Sequence, residues 1–314
     1  MIKTIEGAYL KLKSNLDHKD YELIHMLETQ CVQNDQITLK LELDYKLSDA
    51  QNRTADTVIS DINEFMYFNG EELIGYMGIC SFGGITQPLE ITGMVHPEYR
   101  RQGIFSKLME LVIAECRRRN AEGILALCDK KSISGQGFLK KISAVYKFSE
   151  FEMYLNHKSY ETLEKQQPSG ITFRKAVNAD ASEITRQNTI YFGDDWEEEN
   201  EDTEDSGILL PEEEEKRGMT IYIAEKEERV IGKVNLQMSD GGTGGIYGLG
   251  VLPEFRGKGF GRAILIFGVE KLKDAKATEV MLQVAAENGT ALNLYKSCGF
   301  QETSVMDYFE LKKM

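Results

Sequence analysis

Two stretches of this 314-residue chain repeat one another. VHPEYRRQGIF at 95–105 aligns with VLPEFRGKGFG at 251–261, with Val, Pro, Glu, Arg and Gly shared at an offset of 156. Upstream, Leu73-Ile74-Gly75 aligns with Val230-Ile231-Gly232 at an offset of 157. Solenoid units recur every 20–50 residues or so, whereas two matches at nearly one offset, close to half the length, describe duplication of a whole domain. The length agrees, at about 150 residues per domain. The polar segment LEKQQPSG at 163–170, which holds one of only five prolines, is the expected join. It divides the chain into domains at 1–162 and 170–314.

Local patterning supports the pairing. In the second half, ITFRKA reads as a strand, 179–188 as a helix, and MTIYIAEKEERVIGKVNLQM as two strands around a charged turn. GGIYGLGVL at 244–252 continues the antiparallel meander. Then FGRAILIFGVEKLK carries apolar residues three and four apart, as a helix does. VMLQVA is a buried strand, 290–297 a short helix and SVMDYFELKK a last strand. The first half repeats this from Glu64, with strands EFMYF, LIGYMGI, EITGMV, ILALCD and FEMYL and helices at 104–120 and 136–142. ITLKLELDYKL at 37–47 alternates like a strand but falls where the second half is helical, so both readings stand. The fold class is α/β (α+β), each domain a mixed, mostly antiparallel sheet with helices on both faces.

Composition removes several functions. The net charge is −14, and an acidic field repels phosphates, so nucleic acid is not a partner. No apolar stretch approaches the ~20 residues of a membrane span. The N-terminus lacks the apolar core of a secretory signal. Five separated cysteines and four histidines form neither a disulfide framework nor a metal-ligand spacing, which predicts a cytoplasmic protein without a metal. The cysteines, Cys298 included, and the methionines read as packing residues, and His96 as a loop-facing side chain. Of the 51 carboxylates, 13 lie in 194–215, with no Lys or Arg among them. That run reads either as a solvated loop or as an acidic wall that draws in a cationic substrate, with Trp196 and 208–210 favouring partial docking.

The segment Arg256-Gly257-Lys258-Gly259-Phe260-Gly261 runs from a strand end into a helix. Its glycines let the backbone curl so that successive N–H groups, with the helix N-terminus behind them, face an anion such as a pyrophosphate. A dinucleotide-binding GxGxxG requires a parallel βαβ unit, and here an antiparallel meander leads in. Three glycines at alternate positions with interleaved cations also exceed what a turn needs.

On these residues the chain resembles the GNAT superfamily of acyl-CoA-dependent N-acyltransferases, in its tandem-domain form. Arg256, Gly259 and Gly261 match the family signature, and AENGTALNLYKSCGF supplies Asn288, Tyr295 and Gly299-Phe300 in the family's order. The resemblance covers nearly all of 171–314 and, more loosely, 64–155. It implies acetyl-CoA as co-substrate, in a gap between the fourth and fifth strands of the second domain. There the pantetheine arm pairs with Leu249, Gly250 and Val251, and the pyrophosphate rests on N–H groups of 257–262, with Arg256, Lys258 and Arg262 in the same cradle. It further implies that the Val251 N–H polarises the thioester carbonyl, Asn288 holds the pantetheine arm and the Tyr295 hydroxyl protonates the leaving thiolate, while a substrate amine attacks directly. Read without the family, Tyr295 is a packing aromatic and Asn288 a turn residue.

No carboxylate stands on IYGLGV where many family members carry a base. Tyr247, a water relay or a carboxylate at 194–199 is left for that role. In the first domain Phe105 replaces the last signature glycine, Ser132 stands at the Asn288 position and Leu139, which has no proton to give, at the Tyr295 position. That half is a degenerate copy, although Phe105 leaves the backbone donors in place. The expected activity is acetyl transfer to a small, cationic primary amine; the other reading is an acyl-CoA-binding sensor or scaffold without turnover.

Overall fold

The computed structural model describes residues 3–52, 61–80, 88–163, 168–193, 210–239 and 241–312. The first half contains β1 (Ala8–Lys13), α1 (His18–Asp35), α2 (Leu43–Asn52), β2 (Glu64–Asn69), β3 (Glu72–Cys80), β4 (Leu89–Val95), α3 (Ile104–Arg118), β5 (Ile124–Asp129), α4 (Ile133–Lys141) and β6 (Val145–Leu155). After a short α5 (His157–Glu161) come β7 (Ile171–Lys175), α6 (Ala181–Phe192), α7 (Pro211–Lys216), β8 (Met219–Lys226), β9 (Arg229–Met238) and β10 (Thr243–Val251). The chain then forms α8 (Phe260–Asp274), β11 (Glu279–Ala285), α9 (Gly289–Ser297) and β12 (Phe300–Glu310).

Two compact units result, 1–149 with 304–314 and 150–303. In the first, β1-β2-β3-β4 pair antiparallel, β5 runs parallel to β4, and residues 306–310 of β12 close the sheet antiparallel to β5. In the second, β7-β8-β9-β10 pair antiparallel, β11 runs parallel to β10, and residues 150–154 of β6 pair with β11. Each sheet is therefore completed by a strand from the opposite half of the sequence. The division falls at 149/150 and 303/304 rather than at 163–170, because the strand ahead of that join belongs to the second unit.

Helices cover both faces of each sheet. In the second unit α8 buries Ile264, Leu265, Val269 and Leu272 against Val234, Ile246 and Val280, with Lys271 and Lys273 in its last turn, where cations suit the helix dipole. The β8–β9 turn is Glu227-Glu228, both at positive φ (50° and 62°), which matches the twist of the flanking strands. Segment 37–47 is no strand. Residues 37–42 are irregular and α2 starts at Leu43, because Leu41, Leu43 and Leu47 join the cluster under α1. Among the described residues no helix is long and apolar enough to cross a membrane.

Candidate active site

The sheet of the second unit opens at one point. β10 and β11 pair only from Thr243↔Glu279 to Ile246↔Leu282, after which both strands continue apart. On its other edge β10 gains one residue against β9 between Tyr247 and Gly250, and Gly248 adopts φ +53° there. A bulge of this kind bends a strand and ends its pairing. Beyond it the Leu252 N–H bonds the Ile231 carbonyl (2.9 Å), so by strand alternation the backbone groups of Gly250 also face β9, while those of Leu249 and Val251 face the gap. Of the three expected strand contacts, two therefore point where a ligand edge would lie. Gly250 is required for a different reason, since a Cβ there would collide with the Tyr191 ring of α6.

Arg256 Nε bonds the Val251 carbonyl (2.9 Å), which fixes the exposed guanidinium at the mouth of the gap, and among the described residues its terminal nitrogens meet no group. Gly257 (φ +72°) and Gly259 (φ +83°) make the turn into α8. The first bond of that helix runs from the Ala263 N–H to the Gly259 carbonyl (3.1 Å), so among the described residues the N–H groups of 257–262 have no backbone acceptor. This donor row with an adjacent guanidinium fits a pyrophosphate. The flanking cations are turned elsewhere: Lys258 Nζ caps the Glu254 carbonyl (2.9 Å), and Arg262 ties α8 to Ser297 Oγ (3.1 Å). The Phe260 ring is in the core.

Gly261 joins the parts, since a Cβ there would lie 3.3 Å from Leu294 and 3.7 Å from Val251. Next to Leu294, Tyr295 packs its ring edge-on to Phe300 (6.2 Å), and burial pushes its phenol up to about 12. Among the described residues its hydroxyl bonds to no group and no buried polar side-chain atom lacks a partner, so this hydroxyl reaches the surface. Asn288 is exposed and caps α9, its Oδ1 accepting from the Ala291 N–H (3.0 Å), which leaves the amide N–H₂ outward.

On the α6 side of the sheet lie Tyr247, Asn235 and Lys233. Above them a chain runs from Tyr191 Oη to Gln187 Oε1 (2.8 Å) and from Gln187 Nε2 to Glu183 Oε1 (2.9 Å). Lys233 was not legible as a site residue, since a lone Lys in a strand reads as solvent-facing. The repeat carries a signal for it, because Tyr76, a buried aromatic, stands at the same position of the first copy. The carboxylates of 194–199 lie outside the described residues, as do Trp196, Ile208 and Leu209. In α7, Glu213 and Glu214 pair with Lys216 and Arg217, Glu215 with Lys175, and Glu212 accepts from Asn178. Cations just outside the acidic run thus answer three of its charges.

The first unit repeats the backbone and the opening, β4 and β5 pairing only from Leu89↔Ile124 to Ile91↔Ala126, but not the bulge. Gly103 has φ +83°, and Arg100 Nε bonds the Val95 carbonyl (3.0 Å), as Arg256 bonds Val251. Here, however, the Arg100 terminal nitrogens are paired with Asp35 (2.7 and 2.9 Å). Phe105 packs edge-on to Phe138 (4.7 Å), occupying the space that Gly261 leaves beside Leu294. The β3–β4 register runs without a bulge. Lys3 lies against the counterpart of the cradle loop, its N–H on the Glu98 carbonyl and its carbonyl accepting from Gln102. His96 does not face a loop but is buried, its Nδ1 capping the Glu98 N–H (3.2 Å). All five cysteines are free thiols, and four, Cys298 among them, are buried.

A family profile described as acetyltransferase (GNAT) matches residues 27–142 and again 182–300. Similar relatives named mycothiol acetyltransferase include one from Kocuria rhizophila, 27% identical over 258 residues and covering 76% of this chain and 80% of its own. Another, from Mycobacterium marinum, is 26% identical over 294 residues and covers 82% of each. A GCN5-related N-acetyltransferase from Sphaerobacter thermophilus has a similar fold, with a TM-score of 0.73 at 17% identity over 96% of this chain and 95% of that one. A tandem GNAT protein from the clavulanic acid biosynthesis pathway gives 0.71 at 12% identity over 96% and 98%.

Proposed function

This chain belongs to the acetyltransferase (GNAT) family, and from that premise we propose that its second unit carries acetyl transfer from acetyl-CoA to the primary amine of a small molecule. It is an acetyl-CoA-dependent N-acetyltransferase. The finer assignments are our reading. Acetyl-CoA supplies the activated acyl group. The N–H groups of 257–262 and the Arg256 guanidinium hold its pyrophosphate, and Leu249 and Val251 line its pantetheine arm together with the Asn288 amide. The Val251 N–H polarises the thioester carbonyl, a fixed dipole that needs no reorganisation as charge develops. Tyr295, kept protonated by burial, delivers its proton to the departing thiolate.

One contrast carries this reading: among the described residues the terminal nitrogens of Arg256 meet no partner, while those of Arg100 are neutralised by Asp35, and Phe105, where the second unit has Gly261, packs on Phe138. It favours the second unit, within the domain read at 170–314, as the catalytic one. The relatives named mycothiol acetyltransferase support a small-molecule acceptor. The acidic run supports a cationic one, and five free thiols support a cytoplasmic setting. Release of CoA thiol over a panel of mono- and diamines tests the proposal. It expects turnover with a preference for dications that fades as salt rises. Turnover confined to neutral or anionic acceptors would refute the cationic assignment, and no turnover with any amine would refute amine acetylation.

A further inference from the structure

Lys233 is fully buried in β9, a rare place for an ammonium. Its Nζ donates to Asn235 Oδ1 (3.2 Å) and to the Gly248 carbonyl (3.1 Å), and no carboxylate is among its partners. A neutral amine has two N–H donors and an ammonium three. Two acceptors match the neutral form, whereas a third N–H would meet no acceptor among the described residues. Burial alone lowers the pKa of this amine from 10.5 to about 7, in agreement with that count.

The second acceptor matters for the site. Gly248 lies in the bulge, outside the β9–β10 register, so its carbonyl has no ladder donor and Lys233 supplies one. In the first unit Tyr76 replaces the lysine and no bulge interrupts β3–β4. Amine and bulge occur together in one copy and are both missing from the other. We propose that Lys233, as a neutral amine, is a positioning residue for acetyl transfer: by holding the Gly248 carbonyl it fixes the bulge that turns the Leu249 and Val251 backbone towards the gap. This rests on the assignment of acetyl-CoA to that gap.

The groups around the amine are Ile223 of β8, Asn235 of its own strand, Gly248, Gly250 and Tyr247 of β10, and Tyr191 of α6 over Gly250. The two tyrosines are phenols, neutral near pH 7, and burial raises the pKa of Tyr191 further. The amine is therefore the group near the bulge that changes charge in this range.

Acetyl-CoA affinity of the full chain, measured by calorimetry from about pH 6 to about pH 9, tests this. Comparing wild type with Lys233→Met at each pH cancels titration of the ligand. The Met variant binds about tenfold more weakly at the alkaline end, the worth of one hydrogen bond, and the two converge as the wild-type amine protonates, because a buried ammonium is drawn out to water and releases the Gly248 carbonyl. Lys233→Gln, which keeps a donor but no titrating group, regains part of the affinity without the pH dependence. A deficit in either variant that is the same at every pH marks a merely structural side chain and overturns the proposal, as does no deficit at all. Arg256→Ala separates the two levels: if it weakens binding while the Lys233 variants do not, the acetyl-CoA site stands and Lys233 has no part in it. If Arg256→Ala also binds normally, the gap assignment falls and the proposal with it.

Discussion

The same lysine makes a prediction about stability that needs no ligand. In the unfolded chain the amine titrates near 10.5, and in the folded chain near 7. Above about 10.5 both states are neutral and the buried amine carries no ionisation penalty. As the pH falls from there, the unfolded state takes up a proton that the folded state refuses, so stability declines. Near 7 the folded state accepts the proton too, and the decline levels off. At about 1.4 kcal/mol per tenfold change in proton affinity, the full span amounts to about 5 kcal/mol as an upper figure. Lys233→Met removes this dependence but strands the Gly248 carbonyl and Asn235 Oδ1, at about 1–3 kcal/mol each. The slope with pH therefore comes from the ionisation and the offset from the stranded acceptors. Denaturant unfolding of both proteins between about pH 7 and pH 10 should show wild type gaining on the variant by about 1 kcal/mol per pH unit. Parallel stability curves would refute a neutral buried amine.

Tyr295→Phe should lower kcat by about 10²-fold, at the modest end for general acid catalysis because a thiolate leaves readily, with acetyl-CoA affinity unchanged by calorimetry. With this phenol pushed up to about 12, wild-type kcat should show no descending limb from it below about pH 11; an unaltered kcat in the variant would assign the proton to water. Arg256→Ala should weaken acetyl-CoA binding by about 10–100-fold, because the pyrophosphate then has no guanidinium to accept charge-assisted hydrogen bonds from. Arg100→Ala should leave that affinity alone and instead lower the melting temperature, because Asp35 is left without its cation; a change in affinity there would mean that the first unit also binds.

Legibility in the sequence followed locality. The turn Arg256–Gly261 could be read because positive φ at Gly257 and Gly259 demands those residue types in place. α8 could be read because its buried positions recur three and four apart. Segment 37–47 left two readings because its alternation of Ile37, Leu39, Leu41 and Leu43 suits a strand as well as the approach to α2; what decides is remote, with Asp129 of β5 accepting from the Thr38 N–H (2.7 Å). The pairing of Arg100 was hidden for the same reason, since its residue type is retained and only the spatial neighbour Asp35 neutralises it. Phe105 could be seen as a departure, but that it fills the space beside Phe138 could not. Asn288 shows both of its readings at once, as a helix cap and as an outward amide.

The crossing of terminal strands has a consequence for why a disabled copy persists. β5 takes its antiparallel neighbour from residues 306–310, and β11 takes its own from residues 150–154. A chain cut at 163–170 would deliver neither sheet whole: the leading fragment would carry a strand without its host, and the trailing fragment a host without its strand. Exposed sheet edges invite pairing with other chains. Deleting the first half would also remove the strand that pairs with β11, so the second unit cannot be kept whole without it. The signature of the first copy can therefore drift, as at Phe105, while its scaffold is retained.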